Sequence, residues 1–210
     1  EIDLQQFRRW YSQAGTPVLE VQAEYNSEAK VLTLSVKQSC PATPGQPEKL
    51  PFHIPLRIGL VGSAGNDLPL RLKGEAAPRG ADVVLQVTES AQQFVFEKVD
   101  EEPVASLLRG FSAPVRLKAN YSIDQLAFLM ANDSDGFNRW NVGQMMAGRL
   151  ISEMLEASEF LFPTVLGTAF GGVLDAAIAD PDADRAGIAQ LLALPPLASL
   201  IEQAEQADVD

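Results

Sequence analysis

The hydrophobic pattern of this chain changes its period once, near residue 118. Before that point apolar residues alternate with polar ones, as in VLEVQAEY (18–25) and KVLTLSVKQ (30–38). A period of two places every second side chain on one face of a strand. After that point apolar residues recur three and four positions apart, the stripe of an amphipathic helix. A chain with both periods in separate blocks is expected to fold as a β domain followed by a helical one.

Charge changes at the same place. Residues 1–118 hold 13 Lys+Arg and 14 Asp+Glu, net −1, whereas residues 119–210 hold 3 and 14, net −11. The sharpness of the change marks a domain boundary. The acidic balance also excludes nucleic acid as a partner, since phosphate binding needs a basic face. A solvated acidic surface is the simplest reading of the second half, and attraction of cationic ligands is the sharper one.

In the first half Asn26-Ser27-Glu28-Ala29 reads as a hairpin turn between the two strands quoted above. Further strands are expected at Ile54–Val61, Pro69–Leu72, Val83–Thr88, Gln93–Val99 and Val115–Tyr121, with Pro and Gly between them. Seven short strands with turns imply an antiparallel, immunoglobulin-like β-sandwich. Pro55 lacks a backbone N–H, so its strand should be an edge or carry a bulge.

In the second half Ser122-Ile123-Asp124-Gln125 has the spacing of a capping box, followed by Leu126, Leu129 and Met130. Gly136 to Ala157 carries Phe137, Trp140, Ala147, Leu150, Ile151 and Met154 as its expected apolar stripe. Val165, Leu166, Ala169, Phe170, Val173, Leu174 and Ile178 form another. Asp180 with Pro181 is expected to open a helix over 182–194, Pro195-Pro196 to end it, and a last helix to begin near Leu197. These read as an all-α stub of antiparallel pairs, and no internal repeat is clear enough to name a solenoid.

The ends read as interrupted. Leu4, Phe7 and Tyr11 recur at helical spacing, and Gly15 and Pro17 stop that helix. There is no starting Met, and the tail EQAEQADVD closes no element. The expectation is a multi-domain fragment: 1–14 the tail helix of a domain not present, 15–118 the sandwich, and 119–210 the start of a helical domain.

The chemistry is sparse. His53 is the one histidine and lies in a strand, where a structural role is expected. A histidine-based metal site needs several converging ligands, and there is no H-E-x-x-H. Cys40 is the one cysteine, so no internal disulfide forms. It fits a reducing compartment, and the cytoplasm is the expectation. A cysteine hydrolase would need Cys40 and His53 to meet. Asp133-Ser134-Asp135-Gly136 resembles the start of a calcium loop, but position twelve is Gln144, not Glu, so a helix-capping turn is expected. Asp180, Asp182 and Asp184 read as first-turn acids favoured by the helix dipole. Trp10 and Trp140 are expected to pack at the two domain junctions rather than to stack ligands. The apolar run 160–179 is broken by Pro163, Asp175 and glycines, so no membrane span is expected. No catalytic, cofactor-binding or metal-ligating residue is expected.

Several stretches together resemble one family: FRRWYSQAGTP, KVLTLSVKQSCPATPGQPEKLPFHIPLRIGLV, FVFEKVDEEPVASLLRGFSAPVRL and DQLAFLMANDSDGFNRWNVGQ. They are similar to the region after the catalytic domain of the bacterial aminopeptidase N family, the alanyl aminopeptidase branch of the gluzincin zinc metallopeptidases. The resemblance runs from about Leu4 to about Gln203. It implies a parent that removes amino-terminal residues from peptides with a zinc-bound water. The family's zinc motif, catalytic Tyr and G-x-M-E-N loop have no matching positions here. The resemblance therefore implies zinc in the parent, none in this chain, and a structural part for the sandwich. That part would join the catalytic domain to the helical one, the partners being those domains of the same chain and peptide substrates of the parent. Apolar surface is then expected where those domains dock. The competing expectation is a free-standing β-sandwich adaptor, with genuine termini and a closed surface.

Overall fold

The computed structural model describes residues 3–157 and 162–203. The chain divides into two compact units, Glu1–Asn120 and Tyr121–Asp210.

The first unit is a two-sheet sandwich. A four-stranded sheet has the order β5-β2-β1-β7, from β1 (Val18–Asn26), β2 (Val31–Ser39), β5 (Ala91–Glu97) and β7 (Arg116–Ala119). A three-stranded sheet has the order β4-β3-β6, from β3 (Ile54–Val61), β4 (Asp82–Val87) and β6 (Val104–Leu107). The expected alternation holds: Leu32, Leu34 and Val36 of β2 and Val83, Leu85 and Val87 of β4 are all buried. The β1–β2 hairpin pairs Asn26 with Val31, and the Asn26 side chain accepts from the Ala29 N–H across the turn. One pair departs from the antiparallel pattern: β1 and β7 run parallel, Val18 opposite Arg116.

Two strand expectations are corrected. Pro69–Leu72 is not a strand. It touches the β5 edge through an isolated Leu72–Phe96 bridge, made by the Lys73 N–H to Val95 carbonyl and Glu97 N–H to Arg71 carbonyl bonds. A segment this short and proline-flanked covers an edge without extending the sheet. Val104–Leu107, which no alternation announces, is a strand; Ala105, Ser106 and Leu107 are all buried, so the period of two is lost.

Pro55 lies in β3, which is central in its sheet rather than an edge. The partner strand β6 pairs only with Ile58–Val61, however, and Arg57, two residues on from Pro55, gives its N–H to the Ser112 hydroxyl instead. The missing donor thus falls where β3 has no strand neighbour on that side, which is the local equivalent of an edge.

The second unit holds α2 (Ile123–Asn132), α3 (Gly136–Glu156), α4 (Thr164–Ala179), α5 (Arg185–Leu191) and α6 (Leu197–Gln203); the short α1 (Arg9–Ser12) belongs to the first unit. The capping box forms: the Ser122 hydroxyl accepts from the Gln125 N–H, and the Gln125 side chain accepts from the Ser122 N–H. Leu126, Leu129 and Met130 are buried, as their spacing implies. In α3 the buried stripe is Asn138, Val142, Met146, Ala147 and Leu150, rotated from the one read from sequence. Phe137, Trp140, Ile151 and Met154 are half-buried. Of the α4 stripe only Leu166 and Val173 are buried. The helix expected from Asp180 starts later. Asp184 is the N-cap, accepting from the Gly187 N–H at 3.0 Å, while Asp180 caps the end of α4. Side-chain geometry, not the presence of proline, decides between two aspartates four residues apart.

Candidate functional site

The residues singled out by sequence are scattered through local contacts. The His53 ring hydrogen-bonds the Gln86 amide and lies edge-on to Phe7, 6.3 Å between ring centres. The Cys40 thiol faces the Ala14 carbonyl at 3.7 Å. Neither hydrogen-bonds the other, so the two do not form the dyad a cysteine hydrolase requires. Gly15 sits against that thiol: a Cβ there would lie 3.1 Å from the sulfur, on a backbone with φ +98°. Glycine is needed twice over at this position.

The Asp133–Gly136 segment is a pair of caps. Asp135 opens α3 by accepting from the Asn138 N–H at 2.8 Å, and Asp133 accepts from the Asp135 N–H and the buried Asn138 side chain. Both carboxylates are committed to the helix turn between α2 and α3. Among the described residues no group of three His, Cys, Asp or Glu side chains could hold a metal ion. No helix among them is long and apolar enough to cross a membrane.

In the helical unit a cleft of about 680 Å³ lies between α3, α4 and α5. The Phe137 and Trp140 rings meet there at 5.7 Å and 50°. Several of its polar groups are engaged: Asp184 caps α5, Asp180 accepts from the Asp182 N–H, and the Arg139 Nε–H donates to the Met130 carbonyl. The cleft presents aromatic and small aliphatic surface, as a gap between stacked helices does.

The segment before β1 is tied to the sandwich by polar contacts that its apolar spacing did not announce. Its polar residues face the sandwich. Gln6 donates to the Thr88 carbonyl at 2.6 Å and the Pro51 carbonyl at 3.2 Å. Arg9 donates to the same Pro51 carbonyl, and the Trp10 indole donates to the His53 carbonyl at 2.9 Å. Gln13 and Leu50 exchange two bonds, 2.9 and 2.7 Å. Trp10 also packs on buried Phe52, with ring centres 4.7 Å apart and planes tilted by 49°. Four side chains at positions i, i+3, i+4 and i+7 thus read one stretch of backbone, residues 50–53. Of the apolar stripe, Leu4 is 52% exposed and Tyr11 85%, while Phe7, 37% exposed, keeps its edge contact with His53. Spacing identifies a helical face but not which face turns inward. The run of bare carbonyls at 50–53, ahead of β3, decides that here.

Known proteins match this chain along its length. The family described as a domain of unknown function (DUF3458) with an Ig-like fold matches residues 15–120, and its companion, described as ARM repeats, matches residues 123–210. The second match supplies a repeat architecture that the helical spacing alone did not define. Aminopeptidase N of Escherichia coli (strain K12) is 39% identical over 208 residues, 99% of this chain and 23% of that protein. Aminopeptidase N of Caulobacter vibrioides is 38% identical over 98% of this chain and 22% of its own length. Among solved structures, a crystal structure of Legionella pneumophila aminopeptidase A in complex with aspartic acid superposes with a TM-score of 0.76. It is 30% identical, covering 98% of this chain and 22% of that one. The chain spans less than a quarter of the length of these relatives.

Proposed function

We propose, since the chain belongs to the DUF3458 Ig-like family and matches aminopeptidase N over nearly its whole length, that it is a non-catalytic structural part of a zinc-dependent aminopeptidase. The parent would be a cytoplasmic hydrolase removing amino-terminal residues from peptides. The sandwich, residues 15–118, would link its catalytic domain to the helical domain that begins near residue 119. Residues 1–14 would be the last helix of the catalytic domain.

The observation that carries this reading is the ratio of two coverages. The match takes in 99% of this chain but only 23% of the E. coli protein. An adaptor standing alone would match relatives of its own size. Zinc does not fit the residues present, since no metal-binding cluster occurs among the described residues. It would be held by another part of the parent, and no chemical step is assigned to this chain.

What these residues do is hold shape. Polar backbone and side-chain groups are tied across the sandwich, and a rigid sandwich is suited to fixing the angle between flanking domains. The acidic helical half adds a long-range field that favours cationic peptide termini. Replacing Asp182 by Lys and Asp184 by Asn, which keeps the cap, tests that field. Catalytic efficiency toward cationic peptides should fall at low salt and recover at high salt; an unchanged value at low salt counts against steering.

The structural role is tested in the full-length protein. Residues 15–120 are replaced by a flexible linker of similar reach. Loss of peptidase activity, with zinc content reduced or retained, fits a part that positions the others. Full activity without these residues would remove the proposed role.

A further inference from the structure

The cleft between α3, α4 and α5 carries charges of both signs that do not pair with each other. Arg139 lines it from near the start of α3, Asp180 from the end of α4, and Asp184 from the start of α5. None of these side chains takes part in an ion pair among the described residues. The Arg139 Nε–H is held by the Met130 carbonyl at 2.9 Å, and its other guanidinium N–H groups make no hydrogen bond among the described residues. Each aspartate commits one oxygen to a backbone N–H, that of Asp182 for Asp180 and that of Gly187 for Asp184. The second oxygen of each carboxylate is left over. Between these groups the lining is apolar, with the Phe137 and Trp140 rings 5.7 Å apart and tilted by 50°.

We propose that this cleft binds a short apolar peptide as a zwitterion. Its ammonium group meets Asp180 and Asp184, its carboxylate meets Arg139, and its side chains lie on Phe137 and Trp140. The volume of about 680 Å³ falls inside the roughly 300–1,000 Å³ of small-molecule sites, room for a peptide of about two or three residues. Charge selects this class over its competitors. A bare cation leaves the guanidinium without a partner, and an anion meets two carboxylates. A neutral apolar molecule, or an apolar helix packed into the cleft, takes water from all three charges and returns nothing. A zwitterion gives each charge its opposite, in hydrogen bonds of the stronger, charge-assisted kind. The acid excess of residues 119–210 draws the ammonium end toward the cleft. The site stands without the aminopeptidase reading; in a parent of that kind, short peptides are the class of molecule its reaction releases.

Hydrogen exchange read by mass spectrometry on the full-length protein tests the place. The probe is the dipeptide phenylalanyl-leucine, with a chelator present and the dipeptide checked intact afterwards. Residues 136–144 and 180–191 should exchange several-fold more slowly with the dipeptide than without it. Segments that exchange equally with and without it overturn the proposal, whether the cleft is empty or already filled by the rest of the polypeptide. Calorimetric titration of the 210-residue chain tests the chemistry, with the N-acetyl and the carboxyl-amide forms of the dipeptide alongside. Each blocked form should bind about tenfold or more weakly, as expected for one lost charge-assisted contact. Asp180→Asn with Asp184→Asn keeps both backbone acceptors and removes both charges. It should abolish the penalty of N-acetylation and leave that of amidation. Equal affinity for the three probes, from a chain that circular dichroism shows to be folded, overturns the proposal. Slowed exchange at these segments in a full-length protein without peptidase activity upholds the site and removes the aminopeptidase reading.

Discussion

The guanidinium of Arg109 occupies the space in which any other residue at position 59 would place its side chain. A Cβ built on Gly59 lies 2.1 Å from the Arg109 Cζ. From there Arg109 donates to the Asp67 carboxylate at 2.6 Å and to the Ser106 hydroxyl at 2.8 Å, and its side chain is 3% exposed. The turn that delivers it is built of left-handed residues, Leu108 at φ +60°, Gly110 at +61° and Phe111 at +51°. Two of these carry side chains, a conformation that costs roughly 1–2 kcal/mol each. The buried ion pair, resting on the bare Gly59 backbone, holds that turn.

Gly59→Ala should therefore displace the guanidinium from Asp67. Breaking a buried pair by losing one partner costs about 3–5 kcal/mol. Asp67→Asn should destabilise through the same pair, and the double substitution should cost much less than the sum. Urea denaturation of the four proteins completes the cycle. Full additivity would contradict the coupling.

Gln38 joins the two sheets through one amide. Its Nε2 donates to the carbonyls of Phe52 at 2.9 Å and Glu89 at 3.0 Å, and its Oε1 accepts from the Phe52 N–H at 2.7 Å. Gln38→Leu keeps the volume and leaves the Phe52 N–H buried without that acceptor. A loss of about 1–3 kcal/mol is expected. Hydrogen exchange at the Phe52 amide should accelerate with it; unchanged exchange would show the amide is held by something else.

The reading of this chain from its sequence succeeds where structure is local. The β1–β2 hairpin, the Ser122 capping box and the burial of Leu126, Leu129 and Met130 all follow from neighbours within a few residues. It fails where a distant partner decides. Arg109 and Asp67 are 42 residues apart, and a charged residue inside SLLRGF gives no sign of which carboxylate meets it. The strand at Val104–Leu107 lacks alternation, and its buried Ser106 hydroxyl is met by Arg109 from the turn that follows. The segment of Leu4, Phe7 and Tyr11 was legible as a helical face, but its direction depends on carbonyls about 45 residues away.

Ser122→Ala removes one half of the capping box, and a cost of about 1 kcal/mol to the helical unit is expected. Ser122→Asp should restore most of it, since aspartate also caps well. If alanine and aspartate were equally destabilised, packing rather than capping would be the role of this position.

The Lys30 ammonium and the Asp100 carboxylate meet at 2.6 Å on the surface. The hydrogen bond and charge of Asp100 raise the Lys30 pKa above its ordinary 10.5, and the same contact lowers that of Asp100 below 3.8. The lysine contribution is then fully present below pH 10.5 and lost as pH rises through the folded value. The aspartate contribution is present above pH 3.8 and lost as pH falls through its folded value. Asp100→Asn should therefore change stability slightly between these limits and not beyond them, and added salt should remove the difference. A difference that survives high salt would show a role beyond the charge pair.

The central claim is that this chain shapes an aminopeptidase without carrying its chemistry. Zinc content and aminopeptidase activity, measured side by side on the 210-residue chain and on the full-length protein, test it most directly. The account predicts a zinc-free, inert chain beside a zinc-containing, active whole. Stoichiometric zinc or peptide cleavage by the 210-residue chain alone would contradict it.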